Sequence, residues 1–158
     1  MLQIKNYENE NSFKILLLAS CLCFFYSCAD NPITPKDTEP VPLIEGWDFQ
    51  NSGTDKDLFS IFMVNENTGY IAGQAGTILK TTNSGVNWVT QSCNTSNNLI
   101  SVYFPGDNTG WIAGSFGTVL KTTDGGGNWE TTSGFGSSGL YCVFFVTPND
   151  GWITGDLG

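Results

Sequence analysis

The residue types that do chemistry in enzymes are unevenly represented in this chain of 158 residues. Histidine and arginine are both absent, and all six basic residues are lysines. Without histidine there is no imidazole base for a Ser-His-Asp or Cys-His nucleophile, and no imidazole metal ligand. Without arginine there is no bidentate clamp for a phosphate or carboxylate group. We therefore predict neither a metal site nor a cofactor in this chain.

Carboxylates remain as candidates for acid–base chemistry, because a pair of them can hydrolyse a glycosidic bond. Glu66, Asp107 and Asp150 stand at equivalent or near-equivalent positions of a repeated segment, each ahead of a glycine. Catalytic residues are usually unique to one repeat, whereas Asp is common in β-turns because its side chain accepts hydrogen bonds from turn amides. We interpret these three acids as turn residues and nominate no catalytic residue.

The charge balance narrows the class of partner. Fifteen acidic residues against six basic ones give a net charge of −9, which argues against nucleic acid or an anionic membrane surface. Only 13% of the residues are charged, while 19 are glycine and 13% are aromatic. That composition favours a β protein rich in turns over a helical one.

The N-terminal segment has the features of a targeting signal. Residues 15–26 form a twelve-residue apolar run after a lysine, which is shorter than the roughly 20 residues of a membrane-spanning helix and typical of a secretory signal. Cys28 follows in a segment that resembles the lipidation box of bacterial lipoproteins, and Cys21 is the alternative. We predict a signal peptide over 1–27, a Pro-rich acidic tether over 28–45, and a secreted protein that its N-terminal lipid anchors to the cell envelope.

A period of 41 residues governs the rest of the chain. Leu58–Asn98 and Leu99–Gly139 align without a gap and are identical at 20 of 41 positions, which identifies them as copies of one unit. A third copy begins at Leu140, and Trp47 lies 41 residues before Trp88. Repeats of 40–45 residues that each hold four short strands are typical of β-propeller blades.

The repeat predicts an all-β fold, a β-propeller of four-stranded antiparallel blades. We assign 46–57 to a closing outer strand, 58–98 and 99–139 to two blades, and 140–158 to half a blade. The chain then holds about two and a half blades of the four to eight in a complete propeller. We expect it to be the N-terminal fragment of a longer protein.

A turn motif recurs between the third and fourth strands of each copy. It resembles the Asp-box of sialidase-type repeats at Thr81, Asn83, Gly85, Trp88, Thr122, Asp124, Gly126 and Trp129. The preceding segment, glycine-aromatic-Ile-Ala-Gly and then Leu-Lys-Thr-Thr, resembles the repeats of the photosystem II stability and assembly factor-like propellers. The resemblance implies a propeller whose Asp-boxes are structural and lie at the blade rims.

The resemblance says less about function. Sialidase activity needs an arginine cluster, and photosystem assembly factors are known for a basic patch, whereas residues 58–158 contain two lysines and six acids. We predict a non-catalytic binding or assembly scaffold with a protein or glycan partner. The alternative is a secreted glycan-degrading enzyme, sialidase-like or xyloglucanase-like, whose catalytic carboxylates lie on blades outside this chain.

The turn between the second and third strands is the candidate binding loop. Its residues differ between copies while the flanking glycines repeat, as expected of a recognition loop or a tolerant one. The candidates are Gln74, Ser115, Phe116 and Asp156. We assign the repeated aromatic position of Tyr70, Trp111 and Trp152 to packing between blades rather than to sugar stacking.

Overall fold

The computed structural model describes residues 2–5, 47–132 and 135–156, which contain twelve β-strands and one short 3₁₀ turn. The chain divides into two compact units, Gln3–Phe49 and Gln50–Gly158, the first two residues being grouped with the latter. Within the described part, no helix is long and apolar enough to cross a membrane. The predicted all-β fold of four-stranded antiparallel blades is confirmed.

Each complete repeat forms one blade whose strands pair in chain order. The strands of blade 1 are β3 (Leu58–Met63), β4 (Gly69–Gly73), β5 (Ile78–Thr81) and β6 (Val89–Gln91). Those of blade 2 are β7 (Leu99–Tyr103), β8 (Gly110–Gly114), β9 (Val119–Thr122) and β10 (Glu130–Thr132). The half blade contains β11 (Leu140–Phe145) and β12 (Gly151–Gly155).

The strand around Trp47 lies outside these blades. It is β2 (Trp47–Gln50), and it pairs with β1 (Leu2–Lys5) in a separate two-stranded sheet. The sequence places β1 within the proposed signal peptide and β2 as a closing outer strand. Closure of a complete ring by β2 stays a prediction.

A serine near the start of the first strand of blades 1 and 2 ties each of these blades to the one that follows. The pairing register of the first strand shifts between Leu58 and Ser60 in blade 1 and between Leu99 and Ser101 in blade 2. The Val102 amide donates to the Ser60 hydroxyl at 3.2 Å, and the Val143 amide donates to the Ser101 hydroxyl at 3.1 Å. The irregularity in each inner strand therefore directs a side-chain acceptor to the next blade.

Aromatic stacking holds the inner strands of neighbouring blades together. The ring of Phe104, which directly follows β7, lies over Gly110 of β8 and stacks on Tyr70 of blade 1, with centroids 4.0 Å apart and planes 14° apart. The next interface repeats this arrangement, because Phe145 lies over Gly151 and stacks on Trp111 at 4.6 Å. Such pairs contribute about 0.5–1.5 kcal/mol beyond the burial of their area.

The hydrophobic core accordingly lies between blades. One cluster joins blades 1 and 2, and a second joins blade 2 to the half blade. The first includes Tyr70, Ile78, Leu99, Val102, Phe104, Ile112, Leu120 and Trp129. The second includes Ala113, Val119, Leu140, Val143 and Phe145. Burial of a large apolar side chain stabilises the fold by roughly 1.5–3 kcal/mol, so most of the stability of each blade depends on its neighbour.

We predict that Gly110→Ala destabilises the protein, because the new methyl group would meet the Phe104 ring, which Tyr70 holds in place from the other side. The expected loss is about 1–3 kcal/mol, the range for an overpacked core. Chemical denaturation of the full chain measures it.

Gly106→Ala is the matched control, because a Cβ at Gly106 has no atom within 4 Å. Its effect should stay within about 0.5 kcal/mol. Equal effects of the two substitutions would contradict the stacking arrangement.

Candidate functional site

The turns of the blades lie at two opposite ends of the strands. At one end, the turns that join β4 to β5 and β8 to β9 (the 2–3 turns) lie beside the start of the first strand, since Leu58 pairs with Gly73 and Leu99 with Gly114. At the other end, the Asp-box turns contact the turns between first and second strands. The Gly125 amide donates to the Asn108 carbonyl there at 2.9 Å.

The Asp-box of blade 2 is a closed network of hydrogen bonds within one turn. The Thr122 hydroxyl donates to the Asp124 carboxylate at 2.8 Å and accepts from the Gly126 amide at 2.9 Å. The same carboxylate accepts from the Asn128 backbone amide at 2.9 Å and from its side-chain amide at 2.7 Å. The hydrogen bonds that the Asp124 carboxylate accepts thus come from residues of its own turn.

These hydrogen bonds favour the ionised form of Asp124. The pKa of its carboxyl is lowered from 3.8 to about 2, chiefly by the Asn128 backbone amide, then by the Asn128 side chain and the Thr122 hydroxyl. A carboxylate with so low a pKa is a poor proton donor or acceptor near neutral pH. The electrostatics of Asp124 therefore support a structural role.

Blade 1 builds the same turn without a charge. The Thr81 hydroxyl donates to the Asn83 side-chain oxygen at 3.0 Å, and that oxygen accepts from the Asn87 amide at 3.0 Å. The Gly85 amide donates to the Thr81 hydroxyl at 2.9 Å. An amide oxygen replaces one carboxylate oxygen in the network, which explains why Asn is accepted at this position.

The Asp-box of blade 2 also closes the rim of the interface with blade 1. Its Gly126 has φ of +82°, and a Cβ there would lie 2.8 Å from the Tyr70 ring. The Tyr70 hydroxyl donates to the Gly125 carbonyl, and the Lys80 ammonium donates to the same oxygen at 2.7 Å. A lysine recurs at this position as Lys121, and this recurrence is the signal in the sequence for the role of Lys80.

The Asp-box tryptophans are packing residues. Trp129 is buried and meets Phe104 edge-on at 5.9 Å, and its Nε1 has no hydrogen-bond partner. Trp88 is half-buried, and its Nε1 donates to the Gln50 side chain at 3.4 Å. Burial of the large Trp129 ring outweighs the cost of its unpaired N–H, which is about 1–3 kcal/mol.

The 2–3 turns rest on a rigid backbone frame. The first residue of each turn donates its amide, at 2.8 Å, to the carbonyl just before the first strand of its own blade. The donors are Gln74, Ser115 and Asp156, and the acceptors are Asp57, Asn98 and Gly139. Three of the four candidate loop residues therefore occupy one repeated, anchored position.

Phe116 is the most prominent side chain of these turns. It is 70% exposed and has φ of +55°, a left-handed conformation that is rare for a bulky residue. The Gly117 amide donates to the Ser138 carbonyl at 2.7 Å, and the Thr118 hydroxyl donates to the Ser115 carbonyl at 2.6 Å. These bonds hold an apolar ring in water. The same left-handed conformation occurs at the equivalent Ala75 of blade 1, with φ of +54°, so it belongs to the shape of the repeated turn.

Asp156 has a local partner as well as an anchored backbone. The Tyr141 hydroxyl donates to its carboxylate at 2.8 Å. That bond raises the pKa of Tyr141, because it favours the protonated phenol. In the half blade the variable turn is thus tied to β11.

A polar cleft of about 400 Å³ lies beside the Asp-box of blade 2. The connector after β6 contributes Cys93 and Asn94, and blade 2 contributes Lys121, Asp124 and Glu130. The thiol of Cys93 donates to the Gly76 carbonyl at 3.1 Å. In the described residues no group of three or more acidic or thiol side chains could hold a metal ion.

The remaining chemical candidates have local roles or lie elsewhere. The Asp150 carboxylate accepts from the Thr147 hydroxyl at 2.8 Å, as a turn residue does. Tyr70 and Trp111 pack between blades, whereas Trp152 is 62% exposed. The proposed lipidation residues Cys28 and Cys21 lie outside the described ranges.

A family model described as photosynthesis system II assembly factor YCF48 matches residues 40–134, more than half of the chain. The structure of YCF48 bound to D1 peptide is similar, with a TM-score of 0.60 and 21% identity over 66% of this chain and 36% of that one. YCF48 from Cyanidioschyzon merolae is similar with a TM-score of 0.56 and 27% identity, over 64% of this chain and 32% of that one.

These comparisons confirm the predicted resemblance to assembly-factor propellers. The chain spans about a third of the length of both solved relatives. An ancestral GH74 enzyme is 18% identical over 56% of this chain and 14% of its own, with a TM-score of 0.47, which is too weak to bear on function. No curated protein matches the chain.

We predict that Asp124→Asn lowers the melting temperature of the full chain near neutral pH, and that this deficit disappears at low pH. The folded-state pKa of Asp124 is depressed to about 2. Its stabilising contribution is therefore fully present above about pH 4 and is lost as the pH falls through about 2. Circular dichroism melts across this range measure the difference between variant and wild type.

Asn83→Asp is the reciprocal control, because it introduces a carboxylate into the equivalent network of blade 1. It should acquire the same pH dependence. A constant difference between Asp124→Asn and wild type at every pH would contradict the assignment.

Proposed function

Because this chain belongs to the family of the photosynthesis system II assembly factor YCF48, we propose that it is a non-catalytic scaffold that binds a segment of a partner protein. The exposed Phe116 ring on its anchored 2–3 turn is the observation that carries the proposal. Aromatic side chains that a rigid backbone presents to solvent lose little entropy on binding, and they are frequent hot spots of protein interfaces.

The 2–3 turns are the favoured binding end because the opposite end is engaged in structure. At the Asp-box end, the Thr122, Asp124 and Asn128 side chains bond to one another. At the 2–3 end, backbone groups and the side chains of neighbouring connector residues such as Asn97 and Asn98 build the frame, and the exposed side chains of the turns vary between repeats. A surface of this kind changes its specificity without changing its fold.

A polypeptide suits this surface better than a glycan. Phe116 offers an apolar contact, and a related propeller has been solved with a peptide bound. The repeat region carries six acids against two lysines. A neutral or basic segment with an apolar side chain would therefore complement it in charge and polarity.

We predict that Phe116→Ala weakens binding of the full chain to an array of synthetic peptides of graded charge by roughly ten-fold or more, as expected for an aromatic hot spot. The strongest binding should be to neutral and basic peptides that contain an apolar residue. Fluorescence anisotropy on the best peptide measures the change.

Val86→Ala is the matched control, because Val86 is 72% exposed but lies on the Asp-box turn at the opposite end. It should leave peptide affinity unchanged. Binding to a glycan array with no peptide binding would overturn the proposal, and hydrolysis of a glycan would overturn its non-catalytic part.

For the N-terminal region we propose secretion followed by lipid anchoring at Cys28. The apolar run over 15–26 and the acidic, Pro-rich segment that begins after it support this location. The lipid would hold the propeller at the envelope on the tether over 28–45. Two acyl chains or more are needed for stable anchoring.

Expression of the full chain in a lipoprotein-processing bacterium tests the anchor. Mass spectrometry of the membrane fraction should show a diacylated N-terminus at Cys28, and Cys28→Ala should release the protein from that fraction. Cys21→Ala is the control and should have no effect on anchoring. An unmodified product in the soluble fraction would refute the proposal.

A further inference from the structure

Blade 2 carries a second exposed aromatic ring beside Phe116. The connector that follows β10 contains Phe135, which is 39% exposed. This connector lies against the 2–3 turn of its own blade, because a Cβ at Gly117 would lie 3.0 Å from the Phe135 carbonyl oxygen. With standard bond lengths, that contact places the Cα atoms of the two phenylalanines at most about 11 Å apart. Both residues therefore belong to one surface at the 2–3 end of the blade.

The geometry of the repeat itself exposes these two positions. The equivalent residues of blade 1 are Ala75 and Asn94, and both are exposed although all four strands of blade 2 are present next to them. The backbone is the same in the two blades, since φ is +54° at Ala75 and +55° at Phe116. The glycine after each donates its amide to a connector carbonyl, at 2.8 and 2.7 Å. Blade 2 thus differs in the two side chains and not in the frame that carries them.

On the basis of the proposed function, we infer that Phe116 and Phe135 together recognise one extended segment of the partner protein with two apolar side chains two positions apart. Successive side chains of an extended chain point to opposite sides, so residues i and i+2 lie on the same side, about 7 Å apart. That spacing allows each apolar side chain to contact one ring. A short segment is not a stable helix in water, which favours the extended form.

The surface around the two rings carries no charge. The 2–3 turn of blade 2 is Ser-Phe-Gly over 115–117, and residues 133–139 contain only Gly, Ser and Phe135. Recognition of the two apolar side chains is therefore hydrophobic, and its strength depends little on salt concentration. This distinguishes it from attraction of a basic segment by the net charge of −9, which salt screens.

The test measures binding of the full chain to two neutral octapeptides of serine and glutamine that each contain two leucines. The leucines are two positions apart in the first peptide and adjacent in the second, which has the same composition. Wild type should bind the first peptide roughly five-fold or more tightly than the second. This preference should persist between about 0.05 M and about 0.5 M salt. Fluorescence anisotropy of the labelled peptides measures both affinities.

The matched variants exchange residues between the two blades. Phe116→Ala and Phe135→Asn introduce the blade 1 residues, which the same backbone already carries. Each should weaken binding of the first peptide by roughly ten-fold and remove the preference over the second. Adding Ala75→Phe and Asn94→Phe to a chain with both of these substitutions should restore affinity and preference, because it builds the aromatic pair on blade 1. Thermal melts verify that each variant is folded.

The outcomes separate this inference from the proposed function. Loss of affinity in Phe116→Ala but not in Phe135→Asn would overturn the aromatic pair and leave the proposed function standing. Unchanged affinity in both variants would overturn the two together. Equal binding of the two peptides by wild type, binding of neither, or no restoration by the pair on blade 1 would also overturn the inference.

Discussion

The structure depends on one contact: an aromatic ring at the end of an inner strand lies over a glycine of its own blade and stacks on an aromatic ring of the preceding blade. Phe104 and Phe145 make this contact with Tyr70 and Trp111. A single four-stranded sheet has two faces to cover and cannot cover both with its own side chains. The aromatic contacts cover these faces because they pack each blade against the next.

Other features that recur in the repeat serve this same interface. The Ser60 and Ser101 hydroxyls join the inner strands, and the Asp-box turn closes the rim through Gly126 and the Gly125 carbonyl. Acidic groups at the turns are engaged locally, as for Asp124 and Asp156. The repeated residues thus build the scaffold, whereas the side chains of the 2–3 turns vary between repeats.

Much of the fold follows from the 41-residue period. The predicted start of each first strand at Leu58, Leu99 and Leu140 is the observed one, and the Asp-box turns lie between the third and fourth strands. Such features are local, because glycine, turn chemistry and strand alternation act over a few residues. Variation between copies predicted the 2–3 turns as candidate binding loops, and that role stays a prediction. The left-handed backbone of Phe116 was not predictable from a residue type that disfavours it.

The sequence by itself determined the repeat, the strand order and the absence of imidazole and guanidinium chemistry, since these depend only on residue types and spacing. The tertiary structure decided what each repeated position does. Tyr70 and Trp152 share one position, yet Tyr70 is fully buried and Trp152 is 62% exposed. The pairing of β2 with β1 was equally invisible in the pattern. The physical reason is that burial and pairing depend on neighbours distant in the chain.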